Sequence, residues 1–253
     1  MNRFAIACLT ALSSVPLPVG AEPSQINSFG VAVEEFSLSL RHFGSSDLFY
    51  MGGEQIEGQL ALRFADRFGV QVDLGRIKTE YDLTSSALNL HANFKLSESL
   101  TIGGFLGQVD NQLYRYDIHG IEAMWQAGKL EIEAHLGKEH FSTKGLDYSR
   151  VRDSNIAGVE ARFAVNDRLT LSAGLDQWRI PGAFGSTFRE AHLGASFAIN
   201  EFAEFHGELR HHRDERARSG SDEVLTLGVT LYPTARKGGF GFRTYTPSGQ
   251  ISY

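Results

Sequence analysis

Residues 154–178 read SNIAGVEARFAVNDRLTLSAGLDQW. In the first half, Ala157, Val159, Ala161 and Phe163 share one parity and Gly158, Glu160 and Arg162 the other. In the second half, Leu169, Leu171, Ala173 and Leu175 alternate with Thr170, Ser172 and Asp176. A polar break, Ala-Val-Asn-Asp-Arg (164–168), separates the two. Alternation with period two on both sides of a short polar break is the pattern of a β-hairpin. A helical period would not place polar residues at every second position.

The unit recurs along the chain. Phe64, Phe94, Trp125, Phe163, Phe197 and Tyr232 each close an alternating run. Four further breaks read Ala-Asp-Arg (65–67), Lys-Leu-Ser-Glu-Ser (95–99), Gln-Ala-Gly-Lys (126–129) and Ala-Ile-Asn-Glu (198–201). Aromatic rings held at one level of a closed sheet form the girdle that a membrane-spanning barrel places at the membrane–water interface. The runs predict strands over 29–41, 55–64, 68–76, 86–94, 100–109, 117–126, 129–137, 154–163, 168–178, 188–198, 202–212 and 223–232. That makes twelve, and Phe240–Tyr245 with the tail to Tyr253 would supply a final short pair for fourteen. Glu34-Glu35 breaks the alternation of the first run and predicts a bulge there.

Connections after the aromatics are short. Those at the other end (42–54, 77–85, 110–116, 138–153, 179–187 and 213–222) are longer and more polar. Short turns on one side and long loops on the other are the asymmetry of outer-membrane barrels.

Composition narrows the classes. Of 253 residues 42% are apolar and 21% charged, which is not a disordered composition. Residues 1–21 predict a secretory signal: Arg3, a short apolar run Phe4 to Leu12, and small residues Val19-Gly20-Ala21. The apolar run is too short for a membrane anchor, and Pro16 and Pro18 follow it. The only cysteine, Cys8, lies in that segment, so the mature barrel, 22–253, is expected to hold no disulfide or thiolate. Without the signal the charge is 23 − 30 = −7, which argues against a nucleic-acid partner.

Alternation alone does not say which face meets what. A soluble lipocalin-like barrel would bury the apolar face. Three features favour a membrane barrel: the aromatics recur at one end only, long and short connections segregate, and the apolar face carries many Ala and Gly residues where a packed core would be bulkier.

The unit FAVNDRLTLSAGLDQW (163–178), with echoes at 64–75, 94–110 and 197–212, resembles the small Gram-negative outer-membrane barrels of the porin superfamily. The resemblance covers most of 29–232. It implies an all-β, antiparallel up-and-down transmembrane β-barrel in the outer membrane of a Gram-negative bacterium, in contact with outer-membrane lipid and passing small hydrophilic solutes. Such barrels end on an aromatic residue after alternating apolar ones; Tyr253 and Ile251 fit, whereas Gly249 and Pro247 depart.

If the apolar face meets lipid, the other face lines a lumen. Its acids are Glu57, Asp73, Glu122, Glu131, Glu133, Glu160, Asp176, Glu190, Glu204 and Glu208. Its bases are Arg63, Lys129, Arg162 and Arg210, with His91, His135, His192 and His206. Charged rings set ion selectivity, and this surplus of acids predicts a mild preference for cations. The competing reading is that these charges pair across strands and set nothing. Gly103, Gly107, Gly158, Gly194 and Gly228 are expected to keep wall positions small. Glu131-x-Glu133-x-His135 and Glu204-x-His206-x-Glu208 place ligand types on one strand face, but residues two apart on a strand lie nearly 7 Å apart, so no metal or other cofactor is expected from them. His211-His212 reads as surface. No GxSxG, P-loop or HExxH motif occurs, and no enzyme is expected. A closed structural or adhesive barrel and a rim-located enzyme stand as alternatives to a channel, and both monomer and homo-oligomer stay open.

Overall fold

The computed structural model describes residues 31–45, 52–64, 67–79, 84–144, 152–179, 187–215 and 221–232. The expected signal segment, the tail 233–253 and parts of the longer loops lie outside these described residues. The described chain forms twelve strands: β1 Val31–Ser45, β2 Gly53–Phe64, β3 Phe68–Thr79, β4 Thr84–Ser97, β5 Leu100–Asp110, β6 Tyr114–Ala127, β7 Leu130–Thr143, β8 Arg152–Ala164, β9 Leu169–Arg179, β10 Thr187–Asn200, β11 Ala203–Asp214 and β12 Ser221–Leu231. Each pairs antiparallel with its sequence neighbours, and β1 pairs with β12, so the sheet closes at twelve strands. No helix occurs among the described residues.

Local chemistry sets the short ends. Gly128 turns the β6–β7 hairpin with φ 59°, a backbone state that side chains with a Cβ resist. Asn166 Oδ1 accepts the N–H groups of Arg168 and Leu169, each at 2.9 Å, and Asn200 Oδ1 accepts that of Phe202 at 2.8 Å. These side chains mimic a turn carbonyl and close the β8–β9 and β10–β11 connections. The bulge expected at Glu34-Glu35 is present: the β1–β2 register shifts between Val33 and Glu35.

The barrel is inside out relative to a water-soluble one. Leu193 is 66% exposed and Ile121 64%, on the outer face, whereas Gln71 and Asp73, on the inner face, are 0% and 1% exposed. Moving a leucine of this kind between water and apolar surroundings is worth roughly 1.5–3 kcal/mol. Ten such residues left in water would outweigh the ~5–15 kcal/mol by which a domain is stable. The outer face therefore requires lipid, and the lipocalin-like alternative fails.

Five of the six expected aromatics lie on the outer face. Trp125, Phe163 and Phe197 point outward and are exposed, and Phe64 and Phe94 share that face part-exposed. Phe68 and Phe205 join them; Phe68 packs on Phe94 with ring centroids 4.9 Å apart, and Phe205 pairs with Phe197. Tyr232 is a correction. It is 6% exposed, not part of the outer girdle, because odd-numbered residues of β12 face outward and 232 is even.

Several strands run past their expected limits at the long-loop end: β7 reaches Thr143 rather than 137, β6 starts at Tyr114 rather than 117, and β1 reaches Ser45 rather than 41. Polarity inverts there. Below Gly120, β6 turns Ile121, Ala123 and Trp125 outward and Glu122 inward; above it, Arg115, Asp117 and His119 face outward and Tyr114, Tyr116 and Ile118 are buried inside. The same inversion puts Trp178, Ile156 and Phe141 inside β9, β8 and β7, with Gln177, Asn155 and His140 outside. This end of the barrel is built like a soluble one. Its inner apolar cluster (Ala87, Phe105, Val109, Tyr114, Tyr116, Ile118, Ile156 and Trp178) is flanked by Phe141 and Phe188. The inversion level marks where lipid gives way to water.

Candidate functional site

The candidate site is the polar lumen at the level of the outer apolar band. Alternation fixes which side chains enter it, and the cross-strand register fixes which meet. The expected lining residues on β2 to β11 occupy inward positions: Glu57, Arg63, Asp73, His91, Glu122, Glu131, Glu133, His135, Glu160, Arg162, Asp176, His192, Glu204, His206, Glu208 and Arg210. Lys129 does not. It sits in the β6–β7 turn, where its Nζ donates to the Val165 carbonyl at 3.0 Å, since the inward parity of β7 begins only at Glu131.

Three ion-paired clusters organise the wall. On β7 and β8, Arg162 donates to Glu131 at 2.6 Å and to Glu133 and Glu160 at 2.9 Å each. On β3, β4 and β6, His91 lies 3.1 Å from Asp73 and 3.0 Å from Glu122. On β10 and β11, Arg210 contacts Glu208 and, at 3.3 Å, Glu190, whose other oxygen is 3.1 Å from His212 Nδ1. Arg41 of β1 pairs with Glu57 at 3.2 Å. The acids still outnumber the permanent cations at this level.

Two residues depart from the sequence reading. His212 is turned into the lumen, 4% exposed, while its neighbour His211 is exposed; the strand runs two residues past 212 and carries its parity with it. Arg41 was hidden by the irregular first strand, yet residues beyond the bulge regain strict alternation.

The inward glycines do more than keep positions small. A Cβ on Gly107 would overlap Asn89, one on Gly158 would overlap Asp176 and His135, and one on Gly174 would overlap His192. On Gly228 it would overlap His206, on Gly194 Ser172, and on Gly103 it would come within 2.9 Å of Glu122. Each large polar side chain lies flat over a glycine of the adjacent strand, where register places it directly opposite or nearly so. These glycines leave space on the inner wall that the polar side chains fill.

The two same-strand triplets, Glu131/Glu133/His135 and Glu204/His206/Glu208, do not form a cluster with ligand spacing; Glu131 and Glu133 pair with Arg162 on the next strand, and Glu208 pairs with Arg210 on its own. One cluster among the described residues does have ligand spacing: Asp176, Glu190 and His192, whose ligand atoms all lie within 4.8 Å of one another. It arises across strands, because Asp176 is the register partner of Glu190.

No protein-family model matches the chain, and no curated protein matches it in sequence. Solved structures match it in fold. The chain superposes on the NanC porin with a TM-score of 0.60 at 11% identity, covering 77% of this chain and 98% of that one. It superposes on the KdgM porin in complex with disordered oligogalacturonate with a TM-score of 0.52 at 11% identity, again covering 77% and 98%. Outer-membrane expressed OmpT of Vibrio cholerae gives 0.50 at 9% identity, over 83% of this chain and all of that one. The chain therefore has the fold of the small outer-membrane porin barrels.

Proposed function

We propose that the protein is an outer-membrane channel of a Gram-negative bacterium through which small hydrophilic solutes diffuse passively, with a mild preference for cations. The observation that carries this is the acid-rich polar lumen inside a closed barrel with an apolar exterior. Twelve strands about 4.8 Å apart, tilted about 40°, enclose a cylinder about 24 Å across between backbones. The channel requires a water-filled path between the paired clusters, and the glycines opposite large polar side chains make room for it. The apolar cluster around Tyr116 and Trp178 narrows the passage at the long-loop end and limits solute size.

The cation preference follows from charge. A solute on the axis meets Glu131, Glu133 and Glu160 sharing one Arg162, and Glu190 and Glu208 sharing one Arg210. The oligogalacturonate bound by the KdgM porin carries a carboxylate on each sugar, and this lumen would repel such a polyanion. The function needs no catalytic group, and we assign none.

One observation favours a second reading, a closed structural barrel. Gln71, Asp73, His91 and Glu190 are each at most 1% exposed, as in a lumen whose charges pair into a plug. Swelling of proteoliposomes separates the two. The channel reading expects swelling in small neutral sugars, faster influx of small cationic than of anionic amino acids, and exclusion of larger oligosaccharides. Folded barrel that leaves liposomes impermeable to all of them would establish the closed reading instead.

A further inference from the structure

His192 is the most enclosed imidazole of the lumen wall that makes no hydrogen bond. Its side chain is 0% exposed, and neither ring nitrogen has a hydrogen-bond partner. Nδ1 stands 3.8 Å from Asp176 Oδ2 and Nε2 stands 3.5 Å from Glu160 Oε2. A buried donor or acceptor left unmade costs about 1–3 kcal/mol, so the ring's surroundings call for a group that both nitrogen and carboxylate can bind. The neighbouring strand makes room for this ring: Gly174 lies opposite it, and a Cβ there would overlap the imidazole.

We infer that His192, Asp176 and Glu190 form a divalent transition-metal site in the lumen wall. Imidazole together with carboxylates is a donor set suited to Zn²⁺. Bonds of about 2.1 Å in tetrahedral geometry draw ligand atoms to about 3.4 Å from one another. The present spread of 4.8 Å requires a closure of 4.8 − 3.4, or about 1.4 Å, which small side-chain rotations supply. Glu190 is already oriented for this: Arg210 and His212 each hold one of its oxygens and leave further lone pairs. His135 Nε2 stands 3.6 Å from the second carboxylate, that of Asp176. Outer partners of this kind are what fix ligating carboxylates in metal sites. The local charge is negative, since Glu160 faces the ring and shares Arg162 with two other glutamates. The fourth position would be water from the lumen. The role rests on the channel reading, in which a bound ion would reduce cation flux, but binding itself does not depend on it.

The test is titration of metal-free, folded barrel in detergent with Zn²⁺ by calorimetry, followed by anomalous diffraction at the zinc edge. We expect one equivalent to bind, with an anomalous peak between His192 and Asp176. We expect at least a tenfold loss of affinity in His192→Gln and in Asp176→Asn, each checked for folding by heat-modifiable gel migration. Absence of stoichiometric binding to the wild-type barrel, or a peak only at exposed histidines such as His211 or His140, overturns the inference without recourse to any variant. Stoichiometric Zn²⁺ binding by a barrel that leaves liposomes impermeable would uphold the site and reject the channel.

Discussion

Leu193 on β10 offers the sharpest test of which face meets lipid. It is 66% exposed and is flanked on the outer face by Ala173 and Leu209, its partners in register. It lies four residues above Phe197 of the girdle, which at a rise of about 3.4 Å per residue and a tilt of about 40° is about 10 Å along the membrane normal. The apolar band spans about eight residues of a strand, or roughly 20 Å by the same geometry. Leu193 is therefore close to mid-bilayer. Leu193→Arg should cost about 2–4 kcal/mol of folding stability in lipid vesicles. Ala191→Arg, one outward position higher and next to the native Arg189, should cost about 0–1 kcal/mol because the cation reaches the interface. Equilibrium unfolding in guanidinium, followed by fluorescence of Trp125 and Trp178, measures both. If this face met water, each substitution would fall within about 0.5 kcal/mol. Equal, small values at 191 and 193 would therefore refute the assignment of the outer face.

Other outcomes follow from the same structure. Arg162→Gln leaves Glu131, Glu133 and Glu160 without their shared cation; breaking a fully buried pair costs about 3–5 kcal/mol, and with the arginine side chain 27% exposed the expected loss is about 2–3 kcal/mol by guanidinium unfolding. Tyr116→Ala removes a ring packed 5.0 Å from Tyr114 and 4.9 Å from Phe141, so it should destabilise the barrel by about 3 kcal/mol while raising single-channel conductance. Unchanged conductance would mean that the passage is not narrowed there. Single cysteines placed along 114–127 and spin-labelled in vesicles should show oxygen access at 121, 123 and 125 and aqueous access at 115, 117 and 119; uniform lipid access at all six would contradict the polarity inversion at Gly120.

The wall of this barrel was legible because every strand repeats one rule, polar inward and apolar outward, and a rule of period two survives sequence noise. Its upper limits were not. At Tyr114, Tyr116 and Ile118 the rule reverses, so the pattern marks a strand end where the strand continues. Tyr232 carried the right residue type at the wrong parity. The candidate site divides in the same way. Inward residues follow from parity alone, so His192 and Asp176 were identified. Their convergence needs register, which places Asp176 opposite Glu190 and Gly174 opposite His192, and nothing within one strand encodes that. Same-strand triplets such as Glu131, Glu133 and His135 were the visible pattern, and strand geometry holds them apart. Arg41 and His212 were missed because one follows a bulge and the other lies in a strand that outruns its predicted end.

The central claim is that ions cross through an acid-lined lumen, and reversal potential in a planar bilayer tests it most directly. Refolded protein should give discrete conductance steps, and a tenfold KCl gradient should drive the reversal potential to the cation-selective sign. Glu131→Gln combined with Glu133→Gln should shift it towards zero. Absence of steps from folded barrel, or a reversal potential of the anion-selective sign, would contradict the account.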